Sequence, residues 1–289
     1  MNKYTYIIAL ISIIGFVSCE DVIEVDNGFE ASQIVVDAWI TNEVKQQTIQ
    51  ITETQDYFDN RIPTGVATAQ VSVTNGTQVI EFVHVADGRY VYNPTTEGIG
   101  EIGDEFTLNI EVDDKVLTST TKLNRVPEVD SISIFFETEA FGDDGYFAEL
   151  YATDFVGQGD TYWIKSYRND TLLNKPQEIN LAYDSSFNPG TDLDGVTFIR
   201  PLRFAINAIG EDGIFRDINP GDKVRSEIYS ISNQAFDFMR LVQEQTTNGD
   251  NSIFALPVAN SRGNIRDQDG NLALGVFNVA AVSSLEVTF

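Results

Sequence analysis

The 289-residue chain is poor in the residue types that carry most catalytic and redox chemistry. It has one cysteine, Cys19, so no internal disulfide can form. It has one histidine, His84, so zinc sites built from several His or Cys ligands are excluded by count. A Ser-His-Asp triad would have to use that same ring. His84 ends a β-run before Ala86-Asp87-Gly88, where a lone histidine is ordinarily structural or merely exposed. Basic residues are scarce as well: 18 Lys and Arg face 44 Asp and Glu, a formal net charge of −26. With no basic stripe, the chain is repelled by nucleic-acid phosphates and anionic head groups, which excludes nucleic acid as a partner. Only one long apolar run is present, and it falls short of the ~20 residues a spanning helix needs.

That run is Tyr6–Val17, preceded by Lys3, and it has the length and polarity of a secretory h-region. Phe16-Val17-Ser18-Cys19 resembles the lipobox cleaved by lipoprotein signal peptidase. Residues 1–18 are therefore expected to be a signal peptide, with Cys19 the acylated first residue of the mature chain. Each buried CH₂ contributes about 0.8 kcal/mol, so two or more acyl chains anchor stably. Cleavage removes one lysine and no acid, leaving 17 basic residues against 44 acids, or −27. Glu20-Asp21-Val22-Ile23-Glu24-Val25-Asp26 places four acids within seven residues. It resembles the export signal that sends Bacteroidota lipoproteins to the cell surface. Residues 19–31 read as an acidic tether.

From residue 32 the pattern becomes one of short strands. Ile34–Ile40, Thr48–Thr52, Val71–Thr74, Val79–Val83, Gly88–Tyr92, Phe106–Val112 and Val116–Thr121 alternate or run apolar. Asn75-Gly76 supplies a hairpin signal and Asp113-Asp114 another turn. Seven strands over residues 32–126 have the rhythm of an immunoglobulin-like β-sandwich, here without a disulfide. Arg125–Val129, with Pro127, reads as an extended linker. Residues 127–289 read as a second β-rich domain. Its expected strands are Ser131–Phe136, Tyr146–Tyr151, Thr161–Tyr167, Thr171–Leu173, Val196–Ile199, Leu202–Ile206, Lys223–Ile231 and the tail from Ala273. Residues 176–195 read as loop-rich. Ala235, Phe236, Phe238, Met239, Leu241 and Val242 fall at helical spacing, which predicts one helix over 233–247, closed by Asn248-Gly249.

Acids are so abundant that no glycosidase pair can be singled out, and no catalytic residue is assigned. Calcium is the more serious inorganic candidate, since it takes oxygen ligands from Asp, Asn and carbonyls in Gly-containing loops. The candidate loops are Asp143-Asp144-Gly145, Asp192-Leu193-Asp194-Gly195 and Asp267-Gln268-Asp269-Gly270-Asn271. Within them Asp192, Asp194, Asp267, Asp269 and Asn271 are the named ligands. Asp-Gly is also the commonest way to turn a hairpin, and the plain turn is the preferred reading of each loop. Exposed aromatics could stack on sugars or peptides. Trp39, in an apolar run, is expected in the core; Trp163, flanked by Tyr162 and Tyr167, fits either role.

The whole chain resembles the domain of unknown function 4249, a family of Bacteroidota lipoproteins. The resemblance rests on Cys19 with its acidic follow-on, Ile34-Val35-Val36-Asp37-Ala38-Trp39-Ile40, Gly88-Arg89-Tyr90, Pro257–Asn264 and Ala273-Leu274-Gly275-Val276-Phe277. Val276 stands where the family pattern tends to have Tyr. Members are commonly encoded beside TonB-dependent outer-membrane receptors. The resemblance thus implies a surface-exposed outer-membrane lipoprotein, a non-catalytic accessory in nutrient capture or uptake, and carries over no catalytic residues. An adhesive or structural surface protein is the alternative, with a carboxylate-based hydrolase behind it.

Overall fold

The computed structural model describes residues 32–56, 59, 61–138, 144–190, 193–247 and 260–289. The leader, Cys19 and the tether lie outside the described residues, as do Asp143, Asp192, Asn248-Gly249 and Pro257–Ala259. Gln33–Phe289 forms one compact unit. It is mostly β, with a single α-helix among the described residues. No described helix is long and apolar enough to cross a membrane.

Seven strands occupy the first part: β1 (Ile34–Thr41), β2 (Gln47–Glu53), β3 (Gln70–Thr74), β4 (Val79–Ala86), β5 (Arg89–Tyr92), β6 (Glu105–Val112) and β7 (Lys115–Lys122). Strands β2, β3, β6 and β7 bury alternate residues, the period-2 signature of a sheet with one face on a core. The turns follow their chemistry. Asp87 (φ 51°) and Gly88 (φ 73°) make a two-residue hairpin between paired Ala86 and Arg89. A Cβ on Gly88 would lie 2.0 Å from the Ile51 carbonyl oxygen, so only glycine fits there. Asn75-Gly76 turns β3 into β4 through a four-residue loop. In it the Asn75 Oδ1 accepts the Thr77 and Gln78 amides.

The rest contributes β8 (Val129–Glu137), β9 (Gly145–Ala152), β10 (Thr161–Arg168), β11 (Thr171–Leu172), β12 (Asn180–Tyr183), β13 (Lys223–Ile231), α1 (Asn233–Thr247), β14 (Arg266–Asp267), β15 (Leu274–Ala280) and β16 (Val282–Thr288). Three regions differ from the sequence expectation. Leu202–Ile206 is not a strand: Leu202–Phe204 forms a 3₁₀ turn after Pro201, closed by the Phe204 and Ala205 amides on the Pro201 carbonyl. Proline has no N–H for a ladder, and Leu202, Phe204 and Ile206 still bury their side chains. Val196–Ile199 likewise makes only an isolated bridge, Thr197 to Thr153. Conversely, the loop-rich stretch holds β12, which pairs with β10.

The large sheet runs β14-β7-β6-β3-β4-β5-β2-β1-β15. Strand β4 turns its corner: Val79–Phe82 pair with β3, while Val83–Ala86 pair with β5 across a bulge. The sheet is thus continuous and curled, with β4 joining the β15-β1-β2-β5 side to the β3-β6-β7-β14 side. Its core holds Val36, Ile51, Phe106, Leu108 and Phe277, all fully buried. Phe277 comes from β15, which runs parallel to β1, so the C-terminal region completes the first core. Gly275 (φ 107°) opens this junction, since a Cβ there would meet the Val36 carbonyl oxygen at 1.8 Å.

A second sheet runs β11-β10-β13-β16, with β12 also on β10. Its inner face packs Tyr162, Ile164, Val224 and Ile228 against Phe198 and Leu202. Its other face meets the outer side of β1 and β15, with α1 closing one end. Tyr229, Phe236, Met239, Val276, Trp39 and Trp163 share that contact. Ser232 caps α1, accepting the Ala235 amide on Oγ and the Phe236 amide on its carbonyl.

Candidate functional site

The pattern Trp163-Ile-Lys165-Ser-Tyr167 on β10 and Arg225-Ser-Glu227-Ile-Tyr229 on β13 sends every second residue to the outer face. The register then sets Trp163 opposite Tyr229, Lys165 opposite Glu227 and Tyr167 opposite Arg225. Glu227 is buried but not alone. It accepts O–H from Tyr229 at 2.7 Å and from Tyr167 at 3.1 Å, and pairs with the Arg225 guanidinium. Arg225 lies over the Tyr167 ring, 3.6 Å from its centroid.

Because Glu227 is engaged along its own strand, it is not the counter-ion of Lys165 across from it. The Lys165 ammonium instead sits 4.0 Å from the Trp163 centroid and 4.2 Å from that of Tyr229. Among the described residues it makes no ion pair. Burial lowers its pKa to about 8; the nearby Lys45 charge adds to this, while Asp37 and Glu43 oppose it. Trp39 on β1 meets Trp163 edge-on, with centroids 5.0 Å apart. Two residues before Trp39, Asp37 points to the same side of β1. It is open to solvent, yet desolvation raises its pKa against the Lys165 charge and a hydrogen bond from the Trp39 side chain. A carboxyl that is both open and desolvated lies in a concavity. Lys45 and Glu43 form an ion pair beside it, with Lys45 5.9 Å from the Tyr229 ring. The cleft thus combines two indoles, a phenol ring, and a lysine and an aspartate that make no ion pair among the described residues.

Trp39 is half-buried at this cleft rather than enclosed in the main core, and Trp163 lies beside it. The outer-face polarity of β10 and β13 was visible as Trp-x-Lys-x-Tyr and Arg-x-Glu-x-Tyr. What could not be read was that β1 would face them.

Of the expected calcium ligands, Asp194 lies in a carboxylate group with Asp154 and Asp184. One oxygen from each lies within 4.8 Å of the others. Asp154 accepts the Tyr162 hydroxyl at 2.6 Å; burial raises its pKa. Asp184 accepts the Gly159 and Asp160 amides, and Asp194 accepts the Gly157 amide. Beside them Asp160 pairs with Arg125 at 2.5 Å. Hard oxygen donors of this kind are what calcium takes. The same oxygens also fasten the loop 154–160 to the loop 184–195. Asp267, Asp269 and Asn271 lie elsewhere, in their own hairpin. There Asp267 accepts the Asp269 and Asn271 amides and the Asn271 side-chain amide, which hold its pKa low.

His84 packs against Tyr90, ring centroids 5.2 Å apart, and its buried Nε2 has no hydrogen-bond partner among the described residues. A cleft of about 480 Å³ is lined by Leu172, Lys175, Glu178, Ile209 and Arg216. Its buried Glu178 is taken up by the Lys175 and Ile209 amides.

A family model described as Domain of unknown function (DUF4249) matches residues 20–286. No curated protein matches the chain.

Proposed function

We propose that this chain, which belongs to the DUF4249 family, is a lipid-anchored outer-membrane protein displayed at the cell surface, serving a TonB-dependent transporter as a non-catalytic accessory in nutrient capture or uptake. The observation that carries this reading is the layout of the N-terminus. A charged n-region, a short apolar run and Ser18-Cys19 are followed at once by an acidic segment, and the family match begins at residue 20, directly after the cysteine. Acylation of Cys19 fixes one end of the chain to the membrane. Residues 19–31 then give the folded body a reach of roughly 45 Å when extended. Within that reach the effective concentration beside a barrel is high, so a modest interface suffices. The strong negative charge keeps the body off anionic head groups.

The test is affinity purification of a tagged, lipidated form from its native outer membrane, followed by mass spectrometry. A stoichiometric TonB-dependent barrel is the expected result. Recovery of the lipoprotein alone overturns the accessory role and favours the adhesive alternative. Substitution Cys19→Ala should release the protein from the membrane fraction; retention would refute the anchor.

A further inference from the structure

We propose that the cleft between β1 and the outer face of β10 and β13 binds a zwitterionic amino acid with an apolar side chain: Lys165 takes the carboxylate, Asp37 the ammonium, and the edges of Trp39 and Trp163 the side chain. A half-buried ammonium with rings on two sides and, among the described residues, no carboxylate within ion-pair distance is costly to keep. The residue opposite it, Glu227, is held by Tyr167, Tyr229 and Arg225. An anion entering from the open side would complete the lysine. Asp37, on the facing strand, accepts a hydrogen bond from the Trp39 side chain and feels the Lys165 charge without forming an ion pair with it among the described residues, so a ligand ammonium between them has a carboxylate to meet. Glu43 and Lys45 neutralise each other at the rim, so they favour neither sign.

The net charge of −26 argues against a simple anion, which the protein repels at long range. A zwitterion experiences no such repulsion and can bridge Lys165 and Asp37 head to tail. A pyranose fits less well. Lys165 lies against the Trp163 ring at 4.0 Å, and Trp39 meets Trp163 edge-on, so a flat sugar-stacking platform is not presented. The edges of the two indoles suit an aliphatic or aromatic side chain better than a sugar face. This site stands independently of the accessory role.

Both tryptophans of the chain border the cleft, so intrinsic fluorescence excited at the indole band reports on this place alone. The full-length protein in detergent is titrated with L-leucine and with L-phenylalanine. A saturable change is expected for at least one. N-acetyl-leucine, which lacks the ammonium, and leucine amide, which lacks the carboxylate, should each bind roughly tenfold more weakly. Lys165→Met and Asp37→Asn should each weaken the amino acid by a similar factor. Lys122→Met, on the exposed side of β7, should leave it unchanged. The modified ligands decide the matter even if a variant misfolds. No saturable change up to about 10 mM, beyond the range of weak specific binding, overturns the proposal. So does equal binding of N-acetyl-leucine, or a response to glucose in place of the amino acids.

Discussion

The first part of the chain, up to Lys122, and the rest of it bury different kinds of residue. In the first part, up to Lys122, the buried polar side chains are Thr41, Gln47, Ser119 and Thr121, none of them ionisable. The buried carboxylates Glu149, Asp154, Glu178, Asp184 and Glu227 all come later. The first core is held by apolar packing, which is non-directional and tolerant of volume-conserving change. The second part buries charge, which is stable only with hydrogen bonds and counter-ions in place. Glu149 shows the rule: it pairs with Arg200 and Arg203 and accepts the Tyr151 hydroxyl. Lys165 departs from it, and the departure marks the site.

The sharpest way to break this contrast is to ask whether the first core stands by itself. Phe106→Ala and Phe277→Ala each remove a fully buried ring from that core and should each cost about 3–5 kcal/mol by denaturant unfolding. A cost below about 1 kcal/mol for Phe277→Ala would mean that β15 merely decorates the first sheet. Next in size is Glu227→Ala, which leaves Arg225 only its longer ion pair with Glu286, at 3.9 Å, and strands two phenols. It should cost about 2–3 kcal/mol, less than a fully buried pair because Arg225 remains a quarter exposed. Glu227→Gln, which keeps an acceptor, should cost clearly less.

Lys165→Met should act in the opposite sense and stabilise the fold by about 1 kcal/mol at pH 7, because it removes a desolvated charge. The sign follows from the depressed pKa. Between pH 8 and the ordinary lysine value the unfolded chain binds more protons than the folded one, so wild-type stability rises with pH through that window. The penalty is fully present below pH 8. The variant should lack this rise, and the two stabilities should converge at high pH; parallel pH profiles would show that Lys165 is not desolvated. The smallest effect is expected from calcium. Main-chain amides and Tyr162 already hold Asp154, Asp184 and Asp194, so added calcium should move Tm by less than about 1 °C. A clear rise, lost in Asp184→Asn, would instead assign that group to the metal.

Much of the fold was legible because its strands keep a strict alternation. Val71-x-Val73 and Phe106-x-Leu108-x-Ile110 each mark a buried face directly, and Asp87-Gly88 and Asn169-Asp170 adopt the positive φ their hairpins demand. Leu202, Phe204 and Ile206 show the same alternation and yet belong to a 3₁₀ turn and its exit. Burial there is set by packing, and Pro201 denies the backbone a ladder. Asn180–Tyr183 was hidden for the converse reason. All but Tyr183 are buried, so no polar alternation announces them, and β10 alone makes them a strand.

The amino-acid sequence by itself determined the β-rich class, the helix over 233–247, the seven opening strands and the excess of acid. Each of these depends on local period, turn chemistry or composition. Only the tertiary structure decided that β15 lies parallel to β1, that Asp194 joins Asp154 and Asp184, and that Trp39 and Asp37 face Trp163 and Lys165. Those contacts join residues more than a hundred positions apart in two cases and up to forty in the other. No local preference specifies them: the first is a strand pairing, the second a meeting of loops, and the third follows from how two sheets, each with one face left over, cover one another.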